Sequence, residues 1–434
     1  MTMRKRVAPL LVLGALAVGV ACSGAITDEG GKGKPADGVD GGPTSTGTTT
    51  SPTDTTTAPS DGGPTPDTTP PPPPPPPPDG GSTSSAGALA TKLRGKANFM
   101  IGMGNDLADD HNNDGAYTLG PTLDLHYAYL SGLPGAGGWP DWNAGGSFVN
   151  LLSDVAVKKG VTPMYTFYQS AAQGDGNTAV VTDDGFMKPY WQGAKLMFQR
   201  VAMIGKPTVV HVEPDWWGYC EQKTGGDPKK MPVHVTSLVP ECAGLPDDIS
   251  GMAQCILKLG RTLAPNAVIG FGVSEWGADT PDKVVAFHKA LYGSYTPDLA
   301  VLETLDRDAG CFEAGTDPEC KRTGSFYWDE SNAKSPNFHE HLAWAKAIHD
   351  GLGLPLMWWQ TPFGVPSDTP GGTDGHYRDN RVHYIFNHIK EFVDAGGAGV
   401  VFGTGAGKQT YITSDGDQFK KAVTAYFAAP YPLP

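Results

Sequence analysis

The segment Val209-Val210-His211-Val212-Glu213-Pro214-Asp215-Trp216-Trp217-Gly218-Tyr219 holds the densest chemistry in the chain. An apolar run of β character ends in two carboxyls, and three aromatic rings follow. Side chains alternate across a strand, so Val209, His211 and Glu213 share one face and Thr208, Val210 and Val212 the other. A face carrying His and Glu is ill suited to pack on apolar helices. It is therefore assigned to the interior of the fold, with Glu213 aimed at an open mouth and Asp215 just beyond it. Neighbouring carboxyls can do acid/base work, because one that stays ionised raises the pKa of the other, which then holds a proton to give. Cleavage of a glycosidic bond needs such carboxyls flanking the oxygen. Trp216, Trp217 and Tyr219 add flat faces on which the C–H face of a sugar can stack.

Other polar groups also follow apolar runs. Val301–Asp306 offers Glu303, ahead of Asp306, as the next catalytic carboxyl. Ser274-Glu275-Trp276 is less well placed, because Glu275 continues the parity of Ile269, Phe271 and Val273, which are expected to face helices. Asp374 stands in the Gly-rich stretch Gly371–Gly375. Asp106, Tyr129, Tyr168, Gln169, Trp276, Trp358, Trp359, Gln360 and Thr404 complete a ring of carboxyls, amides and aromatics. The expected substrate contacts are Trp216, Trp217, Tyr219, Trp276, Trp358, Trp359, Gln360, Tyr168, Asp106 and His211. Asp110, Asn112 and Asp114 begin with the oxygen spacing of a calcium loop, but Pro121 stands at its twelfth position in place of Glu. A structural calcium and a plain hydrogen-bonded loop are both open there, and no cofactor is otherwise required. His126 and His211 are both expected to point inward, with Asp124 near the first. Inward histidines suit either a metal-dependent hydrolase or satisfied core groups.

The elements that must position these residues alternate. Strands are expected at Asn98–Gly104, Leu123–Leu130, Thr162–Tyr168, Thr208–Glu213, Ala267–Ser274, Leu299–Thr304, Leu356–Gln360 and Gly399–Gly403. Helical runs separate them: Phe148–Lys159, Tyr190–Ile204, Ile249–Leu263, Pro281–Leu291, His339–Leu352 and Arg378–Ala395, with Gln418–Phe427 closing the chain. Short strands in this number, alternating with helices, are those of an α/β fold of the (β/α)8 TIM-barrel type, whose chemistry sits just past the strand ends. An open doubly wound sheet is the rival. It usually carries a phosphate loop after its first strand, and the loop after Gly102-Met103-Gly104 is acidic.

On these residues the chain resembles the barrel glycoside hydrolases. In their largest clan strand 4 ends Asn-Glu-Pro, with Glu as acid/base. Val212-Glu213-Pro214 matches the last two residues, which implies that role for Glu213. The clan's nucleophilic Glu ends strand 7, where Trp358-Trp359-Gln360 offers an amide. Glu213-Pro214-Asp215 also resembles the family 6 cellulases, in which this Asp is the proton donor of an inverting reaction. The Cys242…Cys255 region and Gly371–Gly375 loosely resemble that family too. The resemblance spans about a quarter of the domain.

The remaining sequence frames this domain. Arg4-Lys5-Arg6 precedes the uncharged apolar stretch Val7–Ala21, the layout of a secretory signal. Val18-Gly19-Val20-Ala21-Cys22 resembles a bacterial lipobox, which implies lipidation at Cys22; cleavage to a free secreted product is the alternative. Residues 1–22 are thus expected to be the signal, 23–86 a disordered Thr/Pro/Gly linker and 87–434 a single barrel domain. The linker has too few large apolar residues to offset the entropy of ordering. Its run Pro70–Pro78 is expected to form a rod of roughly 28 Å, at ~3.1 Å per residue. The formal charge of −14 argues against nucleic acid or an anionic membrane as partner. Export permits disulfides. Of the six cysteines, Cys311 and Cys320 are expected to pair, while Cys220, Cys242 and Cys255 leave one pair and one odd thiol unassigned. The reading is a monomeric, exported or lipid-anchored glycoside hydrolase acting on a polysaccharide, inverting through its carboxyls. The alternative is a non-catalytic glycan-binding surface lipoprotein on the same fold.

Overall fold

A computed structural model describes residues 85–104, 115–304, 328–363, 381–403, 412 and 415–434. Eight parallel strands close into a barrel in sequence order: β1 Met100–Met103, β2 Leu125–Ser131, β3 Thr162–Tyr168, β4 Thr208–Val212, β5 Ala267–Val273, β6 Leu299–Glu303, β7 Leu356–Thr361 and β8 Gly397–Phe402. Both faces of such a sheet are covered, which is why β5 reads as an unbroken apolar run and is buried throughout. Every expected strand is present, with ends shifted by one or two residues at most. The open doubly wound sheet is excluded by the pairing of β1 with β8.

Amphipathic helices return the chain between strands. Asp183 caps the helix Asp184–Ile204, Asp248 caps Ile249–Leu263 and Asn337 caps Phe338–Leu352, each through a side-chain oxygen that takes a backbone N–H of the first turn. The single run expected over Arg378–Ala395 is two helices, Arg381–Asn387 and Ile389–Asp394, because His388 leaves helical geometry between them. The helix Ser85–Arg94 was not expected. Arg94 donates to Asp124 at 3.2 Å and the Leu93 carbonyl accepts from Thr162, so this helix is fastened to the residues that begin β2 and β3. Cys242 pairs with Cys255, and Cys220 is the buried free thiol. Cys311 and Cys320 lie outside the described residues.

Ring contacts across the barrel fix which side chains point in. Trp359 of β7 meets Tyr127 and Tyr129 of β2 and His211 of β4, at centroid distances of 6.0, 5.8 and 4.8 Å. Thr166 of β3 reaches His211 as well. By alternation Met164 and Tyr168 point inward with Thr166, while Phe167 points out to Tyr190 of the helix layer. On β5, Phe271 packs outward on Trp217 and Tyr292, leaving Gly270 and Gly272 inside. Gly272 is needed there: a methyl group on it would stand 2.2 Å from the Pro214 carbonyl oxygen, so only glycine lets the exit of β4 cross so close.

Candidate active site

The C-terminal ends of β2 to β7 bring one constellation together. Tyr168 ends β3, and its hydroxyl donates a hydrogen bond to Asp175. The same hydroxyl lies 3.3 Å from an oxygen of Asp215. Two carboxyls therefore converge on one phenol. Burial, reinforced by Asp215 and Asp175, raises the Tyr168 pKa far beyond the physiological range, so the phenol keeps its proton. Asp215 is half-buried and begins the helix Trp216–Thr224. Asp175 is exposed and was missed by the sequence reading, although it is the first carboxyl after β3 and stands between Gly174 and Gly176.

Further round the barrel, Glu303 ends β6 on the same face as Val301, whose side chain covers Gly270 inside the barrel. Glu303 accepts a hydrogen bond from the Trp276 indole N–H at 2.8 Å. Trp276 is half-buried and lies against Tyr219, ring centroids 4.8 Å apart. Its turn is gripped by the helix below: Gln222 donates to the Trp276 carbonyl at 2.8 Å, and a methyl on Gly218 would meet the indole at 2.7 Å. Glu221, on the same helix, is enclosed against Gly277 with neither carboxyl oxygen hydrogen-bonded, and burial pushes its pKa up to about 7. Gln360 of β7 has a left-handed backbone, φ 52°, which swings its amide inward to donate to Tyr129 at 2.7 Å.

Several expected contacts are placed elsewhere. Glu213 was assigned to the mouth by alternation, but its backbone is left-handed, φ 49°, and ends the strand at Val212. The carboxyl turns into the helix layer and is fully enclosed. There it accepts from the Gln169 and Ser170 N–H groups at 3.1 Å each and from the Ser170 hydroxyl at 2.6 Å. Burial outweighs these bonds and pushes its pKa up to about 7.

Trp216 and Trp217 follow in a helix rather than a loop, and both are buried. Trp217 packs on Phe271 and donates to the Val212 carbonyl at 2.9 Å, so it fills the barrel–helix interface instead of offering a face to ligand. Trp358 is likewise outward and enclosed, donating to His341 at 2.8 Å. His341 in turn pairs with Glu275 at 3.0 Å. Because its Nε2 accepts from Trp358, the His341 proton sits on Nδ1 and is donated to Glu275.

His126 corrects another expectation. Tyr127 and Tyr129 occupy the inner face of β2, so His126 faces out and pairs with the Tyr117 hydroxyl at 2.9 Å. His211 does face in, under Trp359. Burial lowers His211 to about 3 and His126 to about 4, so both rings are neutral at ordinary pH and they do not converge. Among the described residues no group of three or more His, Cys, Asp or Glu is arranged to hold a metal ion. Asp106, the calcium candidates Asp110, Asn112 and Asp114, and also Asp306, Asp374 and Thr404 lie outside the described residues. Among the described residues, no helix is long and apolar enough to cross a membrane.

No family model and no curated protein sequence matches the chain. Solved barrels are similar to it in fold. Thermotoga maritima Cel5A, solved with mannotriose, is 12% identical over 77% of this chain and 99% of its own, with a TM-score of 0.45. A xyloglucan-specific β-1,4-glucanase from a ruminal metagenomic library is 11% identical over 81% and 98%, TM-score 0.47. The endo-β-1,4-mannanase of Thermotoga petrophila is 13% identical over 77% and 78%, TM-score 0.43. At these identities the likeness is one of barrel architecture alone.

Proposed function

We propose that this barrel is a glycoside hydrolase that acts on a polysaccharide and inverts the anomeric centre, with Asp215 as proton donor. The observation that carries the reading is the Tyr168 hydroxyl shared by Asp175 and Asp215. One O–H can donate to one carboxylate at a time, and here it is given to Asp175. Asp215 is assigned the proton to be given, since like-charged carboxyls held close together favour one protonated member. That is the state a general acid needs. Asp215 is also the residue that the Glu-Pro-Asp resemblance points to, and it is open to the mouth where Glu213 is not. Glu303, two strands further round and held by Trp276, is assigned the base that activates water. Tyr219 and Trp276 give a sugar ring a stacking surface. Gln360 replaces the strand-7 carboxylate that a retaining mechanism would use, which favours inversion.

The test is a polysaccharide panel that includes β-1,4-glucan, β-1,4-mannan and xyloglucan, read by new reducing ends, followed by proton NMR of the first-formed anomer. The expected result is hydrolysis of one polymer class with inverted product. Retained configuration rejects the inverting assignment. Tight binding to a polymer with no turnover replaces the enzyme by the glycan-binding lipoprotein.

We also propose that the protein is exported and anchored by lipid at Cys22, on the strength of the charged and apolar leader and the small residues before that cysteine. Cys22→Ser is expected to move the protein from the membrane fraction to the soluble exported fraction. Unchanged fractionation with normal export rejects the anchor.

A further inference from the structure

We propose that Glu213 is a positioning residue that sets the geometry of the Asp175–Asp215 pair, and that it is neither acid nor base in the reaction. The inference rests on the glycosidase reading above. Its basis is where the ties of this one side chain end. Gln169 and Ser170, whose N–H groups Glu213 binds, directly follow Tyr168. Ser170 opens the short helical turn Ser170–Gln173 that leads to Asp175. The carboxyl of Glu213 therefore fixes the first residues of the loop carrying one member of the pair.

The backbone of Glu213 fixes the other member. Its N–H donates to the Phe167 carbonyl at 2.7 Å, closing the β3–β4 ladder. Its left-handed φ then turns the chain so that Pro214 crosses Gly272 and Asp215 starts a helix. A non-glycine residue held in this conformation is strained and persists only where its surroundings over-determine it. Here the hydrogen bonds from Gln169 and Ser170 do so. Tyr190 of the helix Asp184–Ile204 and Cys220 of the helix Trp216–Thr224 are the titratable groups that face the Glu213 carboxyl. Burial raises the pKa of both and keeps them neutral, so neither places a cation beside Glu213. Full enclosure keeps every atom of Glu213 from a ligand at the mouth.

The test compares Glu213→Gln, Ser170→Ala and Asp215→Asn by circular dichroism, thermal melting and pH profiles of kcat and kcat/KM on the polymer the wild type cleaves. Glu213→Gln keeps one acceptor oxygen but cannot satisfy every donor. Its kcat is expected to fall roughly 10- to 100-fold, the scale of an ångström-sized misplacement of catalytic groups, with KM little changed. Both limbs of its pH profile should persist, displaced from those of the wild type. Ser170→Ala removes only the 2.6 Å bond and should displace the profile in the same direction by less. If Glu213→Gln does not fold, Ser170→Ala decides the matter. An unmoved profile in whichever variant folds overturns the proposal. Loss of a whole limb in Glu213→Gln also overturns it, because Glu213 would then be the titrating catalyst. Full activity in Asp215→Asn instead overturns the reading on which the proposal rests.

Discussion

Asp215→Asn is expected to lose about 10²–10⁴-fold in kcat, the usual worth of a general acid, while folding normally. The amide matches the carboxyl in size and keeps an acceptor, so the helix that starts at Trp216 is not disturbed. What it lacks is the proton for the leaving oxygen. The loss should therefore be largest on the natural polymer and much smaller on an aryl glycoside with an acidic phenol, which leaves without help. If Asp215 is the donor, the basic limb of the wild-type kcat/KM profile should report its ionisation, and in the variant that limb should be gone. Steady-state kinetics on both substrate types checks this. Equal losses on both, with the limb still present, would mean that Asp215 shapes the mouth and donates nothing.

Trp217→Ala should cost about 3–5 kcal/mol of stability, the range for deleting a large enclosed aromatic side chain. The indole is wholly buried, packs at a tilt against Phe271 and donates to the Val212 carbonyl at the end of β4. Truncation opens a cavity and leaves that carbonyl without its donor, and the two effects add. Urea unfolding at fixed pH measures the loss as a lower midpoint. The same experiment separates the two roles a tryptophan beside a sugar site can play. An unchanged midpoint with a much higher KM would return Trp217 to the stacking surface. Trp276, half-exposed against Tyr219, is the indole for which that outcome is expected.

Much of the fold was legible in the chain. Eight short apolar runs, separated by amphipathic stretches, leave a parallel sheet little choice but to cover both faces, and closure in sequence order follows from short right-handed crossovers. The position of the candidate site was legible for the same reason. Carboxyls, amides and aromatics collect just past the strand ends, and in a parallel barrel all those ends lie at one mouth.

The direction of individual side chains was not legible, and two residues show why. Alternation put Glu213 inside, and the same rule, applied after the inward Trp359, would turn Gln360 away from the mouth at which it was expected. Each adopts a left-handed backbone, φ 49° and 52°, and each is thereby turned to the other side. No pattern of residue types announces that conformation in a glutamate or a glutamine, because the neighbours that hold it come from other strands and helices: Ser170 for the first, Tyr129 for the second. The helix over Trp216–Thr224 was hidden likewise, since its short run of rings and polar groups reads equally well as a loop until Phe271 and Trp276 pack against it. The pairing of Cys242 with Cys255 needed their 5.5 Å Cα separation. The meeting of Asp175 and Asp215 on Tyr168 needed ring closure itself, because the residues belong to the ends of two strands some forty positions apart and only hydrogen bonding between those strands makes them neighbours. The sequence by itself thus determined the barrel and the mouth that holds the candidate site, through period and composition. Which carboxyls face that mouth was decided by tertiary contacts that override the local alternation of the chain.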